Sequence, residues 1–110
     1  MPVIKVYAPS PSAGPALAPA ALQDFGQAVA EACVTLLEAH PDKVQCVVVE
    51  AEILAGAALY IEVLYRDQPS RDARMAQFMQ CLSEAASRVW GRAPRIRCMP
   101  LDGARLHALG

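Results

Sequence analysis

The stretch MPVIKVYAP, residues 1–9, predicts a β-strand at the very start of the chain. Val3–Ala8 is rich in β-branched and aromatic residues, which favour strands. Pro2 stands directly behind Met1, at a strand start, where proline removes no donor that the ladder needs. Pro2 is therefore either an ordinary strand-start residue or, if Met1 is removed, a chain end whose ring nitrogen is a free secondary amine and a base.

Two copies of one strand–helix–strand pattern follow from this start. The predicted strands are Val3–Ala8, Val44–Glu50, Ala57–Arg66 and Arg95–Met99. After a loop over Pro9–Ala18, apolar residues at spacings of three and four predict a helix from Pro19 to His40, which Pro41 ends. A second helical stripe, with Ser70 as its N-cap, runs to Gly91. The order is β-α-β-β-α-β.

Two folds share this order of elements. One is a ferredoxin-like fold with a wholly antiparallel sheet, and the other is a doubled β-α-β unit in which each half contributes a parallel pair. Periodicity does not distinguish them. With 110 residues the chain has the length of a single domain, residues 1–110, with pseudo-repeated units at about 2–52 and 57–100 and a short tail at 101–110.

Strand parity predicts an oligomer. In the third strand, Leu59, Ile61, Val63 and Tyr65 share the face expected to lie against the helices, together with Ala57. In the second strand both faces are nearly apolar. Because two helices cover only one face of a four-stranded sheet, the second apolar face requires a partner.

Composition excludes several classes of partner. The net charge is −1, which argues against nucleic acid or an anionic membrane surface. No apolar run approaches the ~20 residues that span a bilayer, and the start has no signal-peptide pattern, so a cytoplasmic protein is expected. The cysteines form no Cys-x-x-Cys pair and only two histidines accompany them, so we expect buried thiols and no metal. They are Cys33, Cys46, Cys81 and Cys98.

Met1-Pro2 before a strand, the β-α-β-β-α-β order and the length of 110 residues together resemble the tautomerase superfamily. That group includes 4-oxalocrotonate tautomerase, 5-carboxymethyl-2-hydroxymuconate isomerase and macrophage migration inhibitory factor. Within it, YIEVLYRDQPSRDARMAQFM (residues 60–79) and RIRCMPLDGARLHALG (residues 95–110) look most like a small bacterial group. The resemblance implies an α/β (α+β) fold, with a four-stranded mixed sheet, two helices on one face, and a homotrimer.

The resemblance also implies a chemistry: cofactor-independent tautomerisation or isomerisation of a small molecule, with the Pro2 amine as the base after Met1 removal. Such substrates usually carry a carboxylate. 4-Oxalocrotonate tautomerase places an arginine in the loop after its first strand, but here no charged residue lies between Lys5 and Asp24. A different cation must then bind the substrate. The alternative is a non-catalytic module, on this or a ferredoxin-like fold, that binds a small ligand or a protein.

Arg66 is the first candidate for that cation. It resembles the first arginine of a pair in cis-3-chloroacrylic acid dehalogenase, although Pro69 stands at the second position and Arg71 two residues further on. The alternative for Arg66 is a solvated turn residue paired with Asp67. Further substrate-binding candidates are Lys5, Tyr60 and Arg97. The alternatives are salt bridges to Glu62 or Glu50 across a subunit contact for the two cations, and packing at the trimer contact for the tyrosine.

Overall fold

A computed structural model of the chain describes residues 2–10 and 17–110. Its elements are β1 (Pro2–Pro9), α1 (Pro19–Leu37), a 3-10 turn (Pro41–Lys43), β2 (Gln45–Ala51), β3 (Tyr60–Arg66), α2 (Pro69–Asp72), α3 (Met75–Trp90) and β4 (Arg95–Leu101). Met1 and most of the loop expected over Pro9–Ala18 lie outside the described residues. No helix in the described part of the chain is long and apolar enough to cross a membrane.

The four strands form one mixed sheet in the order β2-β1-β3-β4. β1 is parallel to β2, β3 is parallel to β4, and the two pairs meet through the antiparallel contact between β1 and β3. In that contact Pro2 lies opposite Tyr65 and Tyr7 lies opposite Tyr60. The doubled β-α-β arrangement is therefore confirmed, and the alternative of a wholly antiparallel, ferredoxin-like sheet is excluded.

The core lies between the sheet and the two long helices. Leu59, Ile61, Val63 and Tyr65 are buried, as the parity of the third strand predicted, whereas Ala57, expected on the same face, lies before β3 and is exposed. They belong to one hydrophobic cluster with residues of α1 and α3, among them Phe25, Val29, Phe78 and Leu82. Each fully buried large side chain in such a cluster stabilises the fold by roughly 1.5–3 kcal/mol. The cluster fixes the helices on one face of the sheet.

The other face of the sheet is open in the single chain. Tyr7 on β1 and Leu64 on β3 are half-buried there. Val49 on β2 and Met99 on β4 are 41% and 36% exposed. This face is partly apolar, which is the pattern that led us to expect an oligomer.

Several element ends differ from the sequence prediction. α1 ends at Leu37 rather than His40, because Glu38 adopts a left-handed conformation (φ 54°) and its N–H bonds the Cys33 carbonyl. β3 begins at Tyr60 rather than Ala57, because Tyr60 is the first of its residues with partners on both β1 and β4. Ser70 is not an N-cap: it lies inside α2, which Pro69 begins.

A buried arginine ties the end of α1 to the end of β3. The helical donor for the Leu37 carbonyl would be the N–H of residue 41, and Pro41 has none. Arg71, only 7% exposed, donates its Nε to this carbonyl at 2.9 Å and its Nη1 to the carbonyl of Arg66 at 3.0 Å. Arg74 donates to the carbonyl of Thr35 at 3.3 Å. These cations also complement the negative end of the helix dipole.

Candidate active site

A cavity of about 700 Å³ lies at the corner of the sheet where β1 begins. Val3 of β1, Gln45 at the start of β2 and Arg66 at the end of β3 contribute to its wall. They meet there because β2 runs parallel to β1 while β3 runs antiparallel, so the two strand starts and one strand end share a corner. The fold therefore brings the Pro2 end of the chain and the predicted cation Arg66 together.

The lining of this cavity is rich in cations. Lys43, Arg66 and Arg71 are the cationic side chains of the lining, and Asp42 supplies the one carboxylate side chain among the lining residues. The ring of His40, also in the lining, accepts the Asp42 N–H at its Nδ1 over 3.4 Å. A cavity with this balance of charge attracts a small anion such as a carboxylate.

The two arginines of this cavity have different tasks. Arg71 is buried and its Nε and Nη1 are already bonded to main-chain carbonyls, so its first role is structural. Arg66 is exposed at the end of β3, where its guanidinium is available to a ligand. Arg71 was not among the sequence candidates. The signal that reveals it is the proline four residues after Leu37, which leaves a helical carbonyl without a donor.

Pro2 itself is fully buried. It lies on the helix-facing side of β1 with Ile4 and Val6, while its neighbour Val3 lines the cavity. Directly opposite Pro2 on β3 is Tyr65, whose hydroxyl donates to Asp72 Oδ1 at 3.0 Å. Burial, and then this hydrogen bond, raise the pKa of Tyr65 to about 12, so it remains a neutral phenol at physiological pH. On the core side Pro2 therefore lies among buried side chains, and its neighbour Tyr65 is neutral.

The remaining sequence candidates lie on the open face of the sheet. Glu62 of β3 has Lys5 of β1 opposite it on one side and Arg97 of β4 on the other. Tyr60 donates its hydroxyl to Glu62 Oε2 at 3.0 Å, and its ring stacks on Tyr7 with centroids 5.8 Å apart. Burial, then the hydrogen bond to Glu62, raise the pKa of Tyr60.

Tyr60 and Arg97 do not meet Pro2 within one chain. They line a second cavity, of about 460 Å³, together with Tyr7 and Arg95. Tyr7 is five residues along β1 from Pro2, a separation of roughly 17 Å in a strand. Lys5 lies between the two ends. The alternation of residues along the strands predicted correctly that these side chains lie on the sheet face away from the helices. It does not predict at which end of the sheet a residue lies.

Three of the four cysteine thiols, one buried and two half-buried, are poor nucleophiles. Burial raises the pKa of Cys33 to about 12 and those of Cys46 and Cys98 to about 11. Because the thiolate is the reactive form, these groups are inert near neutral pH. The described residues contain no group of three or more His, Cys, Asp or Glu side chains that could hold a metal ion.

Solved structures share this arrangement of strands and helices. A fused 4-OT, a wild-type symmetric trimer, is 17% identical, with 96% of this chain and 90% of that chain covered and a TM-score of 0.74. A malonate semialdehyde decarboxylase is 12% identical, with 96% and 88% covered and a TM-score of 0.70. A macrophage migration inhibitory factor-like protein from Entamoeba histolytica is 7% identical, with 97% and 92% covered and a TM-score of 0.70. No protein-family model and no curated protein sequence matches the chain.

Proposed function

Because this chain has the fold of the tautomerase superfamily, we propose that it is a cofactor-independent tautomerase or isomerase. Its base is the ring nitrogen of Pro2 after removal of Met1, and its substrate is a small 2-keto or enol compound that carries a carboxylate. The observation that carries the proposal is the position of Pro2. It begins the strand at whose start the cationic cavity lies, and Arg66 ends the strand beside it.

The surroundings favour an unprotonated amine. A free α-amine ordinarily has a pKa near ~7.7–8.0. The buried, apolar position of Pro2 disfavours the ammonium form, and the nearby cations Arg66, Arg71 and Lys43 disfavour it further. We therefore expect the pKa of the Pro2 amine to lie below its usual range. The neutral amine then removes a proton from the carbon next to a substrate carbonyl and returns it at another atom of the conjugated system.

Arg66 is the proposed anchor for the substrate carboxylate. It is the exposed arginine of the cavity, and a guanidinium binds a carboxylate through two parallel hydrogen bonds. Lys43, in the lining of the same cavity, adds charge without a fixed geometry. The carboxylate fixes the orientation of the substrate, which is the condition for transfer of a proton to a single base.

We also propose that the chain assembles as a homotrimer through the open face of the sheet. The exposed Val49 and Met99 support burial of this face, and fused 4-OT structures of the same fold are trimers. In such an assembly Tyr60 and Arg97 act on substrate only if they reach the cationic cavity beside the start of β1 in a neighbouring protomer. Lys5, on the same face, remains a candidate for binding the substrate.

The base is tested with protein whose Met-free state has been established by intact mass. Enol–keto conversion of phenylpyruvate or 2-hydroxymuconate is followed for the parent protein, Pro2→Ala and a chain extended by one residue ahead of Pro2. The extension keeps the proline and turns its nitrogen into an amide, so it should lose about 10²–10⁴-fold in activity. Pro2→Ala keeps a primary α-amine at the same position and should lose less. Pro9→Ala, at the other end of β1, is the matched control. Equal rates for the parent and the extended chain would rule out the Pro2 base for these substrates.

The composite site is tested by mixing. Trimers that contain both Pro2→Ala and Arg97→Ala protomers should show more activity than either variant alone, because some sites then pair an intact Pro2 with an intact Arg97. A sedimentation experiment at micromolar concentration that finds monomers or dimers would contradict the trimer.

A non-catalytic carboxylate-binding module is the second candidate. The complete burial of Pro2 favours it, because a base must reach its substrate. For this function, Met-free protein would bind phenylpyruvate without converting it. Binding would be lost in Arg66→Ala and kept in Pro2→Ala.

A further inference from the structure

The chain after β4 forms a turn that follows β3 closely. Asp67, just after Arg66, donates its N–H to the carbonyl of Leu101 at 2.8 Å, which continues the contact between the two strands. Asp102 then closes the turn twice. Its Oδ1 accepts the N–H of Ala104 at 3.0 Å, and its main-chain carbonyl accepts the N–H of Arg105 at 3.0 Å. Gly103 lies at the centre of this turn.

Gly103 makes an unusually close approach to the side chain of Arg66. A Cβ atom at position 103 would lie 3.0 Å from Arg66 Cδ, 3.1 Å from Cγ and 3.3 Å from Nε. Real side chains rarely tolerate such distances, so any residue larger than glycine would move the arginine. The atoms that would move belong to a flexible side chain, and the backbone is not obstructed.

The need for glycine here is a need for space. Gly56 and Gly91 have φ values of 93° and 68°, which L side chains rarely adopt. Gly103 has no such conformation, so an alanine at this position meets no backbone strain. What Gly103 provides is space, because the absence of a side chain leaves room for the aliphatic part of Arg66.

We propose that Gly103 is a positioning residue that fixes the side chain of Arg66 at the cationic cavity beside the start of β1. Arg71 fixes the main chain of Arg66 by donating to its carbonyl at 3.0 Å, and Gly103 in the 102–105 turn lies against the stem of its side chain. A long side chain restricted in this way loses less conformational freedom when it binds a ligand. This inference rests on the proposed function of the cavity, in which Arg66 binds the substrate carboxylate.

The kinetic test compares Gly103→Ala with Gly26→Ala. Gly26 lies within α1 and has no atom within 4 Å of an added Cβ, so its substitution is the matched control. We expect Gly103→Ala to raise KM about tenfold and to lower kcat by a smaller factor, since Arg66 holds the substrate carboxylate both before and during proton transfer. In an Arg66→Ala background the same substitution should have no further effect. An unchanged KM, or an equal loss in both backgrounds, would overturn the inference.

A second measurement does not depend on catalysis. The NMR signal of the Arg66 Nε–H group, assigned by its loss in Arg66→Lys, reports the motion of the side chain. We expect an order parameter close to that of rigid backbone, about 0.85, in the parent and in Gly26→Ala, and below about 0.6 in Gly103→Ala. If the Pro2 variants show that the catalytic proposal fails, this result still decides the inference. A mobile Arg66 in the parent protein would refute it, whatever the kinetics show.

Discussion

Replacing Arg71 by methionine should destabilise the protein strongly, although an apolar side chain of similar length remains. The substitution leaves the carbonyls of Leu37 and Arg66 without the donors that lie at 2.9 and 3.0 Å. An unpaired buried carbonyl costs about 1–3 kcal/mol, and the Leu37 carbonyl is the more deeply buried of the two. Pro41 supplies no N–H in its place. We expect a loss of about 2–4 kcal/mol in the free energy of unfolding.

The measurement is urea unfolding at one fixed protomer concentration, because an oligomer's stability depends on concentration. Arg74→Met is the control: Arg74 is exposed and makes a single 3.3 Å bond to Thr35, so its loss should cost below about 1 kcal/mol. Arg71→Lys should fall between them, because an ammonium does not reproduce the fork that reaches both carbonyls. If Arg71→Met lost no more stability than Arg74→Met, the assigned role of Arg71 would be wrong.

Three further predictions concern α1 and the buried titratable groups. Glu38→Gly should raise the free energy of unfolding by about 1 kcal/mol, because Glu38 has a φ of 54°, whereas Glu31→Gly within the helix should lower it by a similar amount. Tyr65 has a pKa of about 12 instead of 10.0, so the folded state keeps a proton that the unfolded state loses. Its contribution is complete below pH 10 and declines as the pH rises toward 12, and the denaturation midpoint should fall less steeply with pH in Tyr65→Phe. The Cys33 thiol, with a pKa of about 12, should resist alkylation near pH 8 until denaturant is added, and mass spectrometry of native protein showing rapid labelling there would contradict its burial.

The pattern of apolar residues predicted the elements and the buried side of β3, because Leu59, Ile61 and Val63 alternate as a half-buried strand requires. The pairing of the strands was not available from the same pattern. Parallel and antiparallel partners present the same alternation, and the register between Pro2 and Tyr65 joins residues more than sixty positions apart. Local sequence does not encode which distant strand lies alongside.

The candidate site, like the fold, was predicted from the sequence only in part. Pro2 and Arg66 were chosen from the sequence, and the antiparallel contact of β1 and β3 places them at one corner. The alternation of residues predicted correctly which face of the sheet carries Tyr60 and Arg97. It did not predict at which end of the sheet they lie, so it could not give their distance from Pro2. Gly103 gave no signal at all, because its significance is a separation from the side chain of Arg66 that appears only when the strands are paired.

The two edges of the sheet differ in their resistance to misassembly. β4 carries Arg95, Arg97 and Pro100, and charge and proline at an edge discourage the addition of a foreign strand. β2, at the opposite edge, runs through Cys46 and three consecutive valines before its first charge at Glu50. Short uncharged β-branched segments of this kind are the usual starting points of cross-β aggregates. A chain that is overproduced, or unfolded by one of the substitutions above, should therefore aggregate through β2, and a lysine at Val48, which is 39% exposed, is the natural gatekeeper.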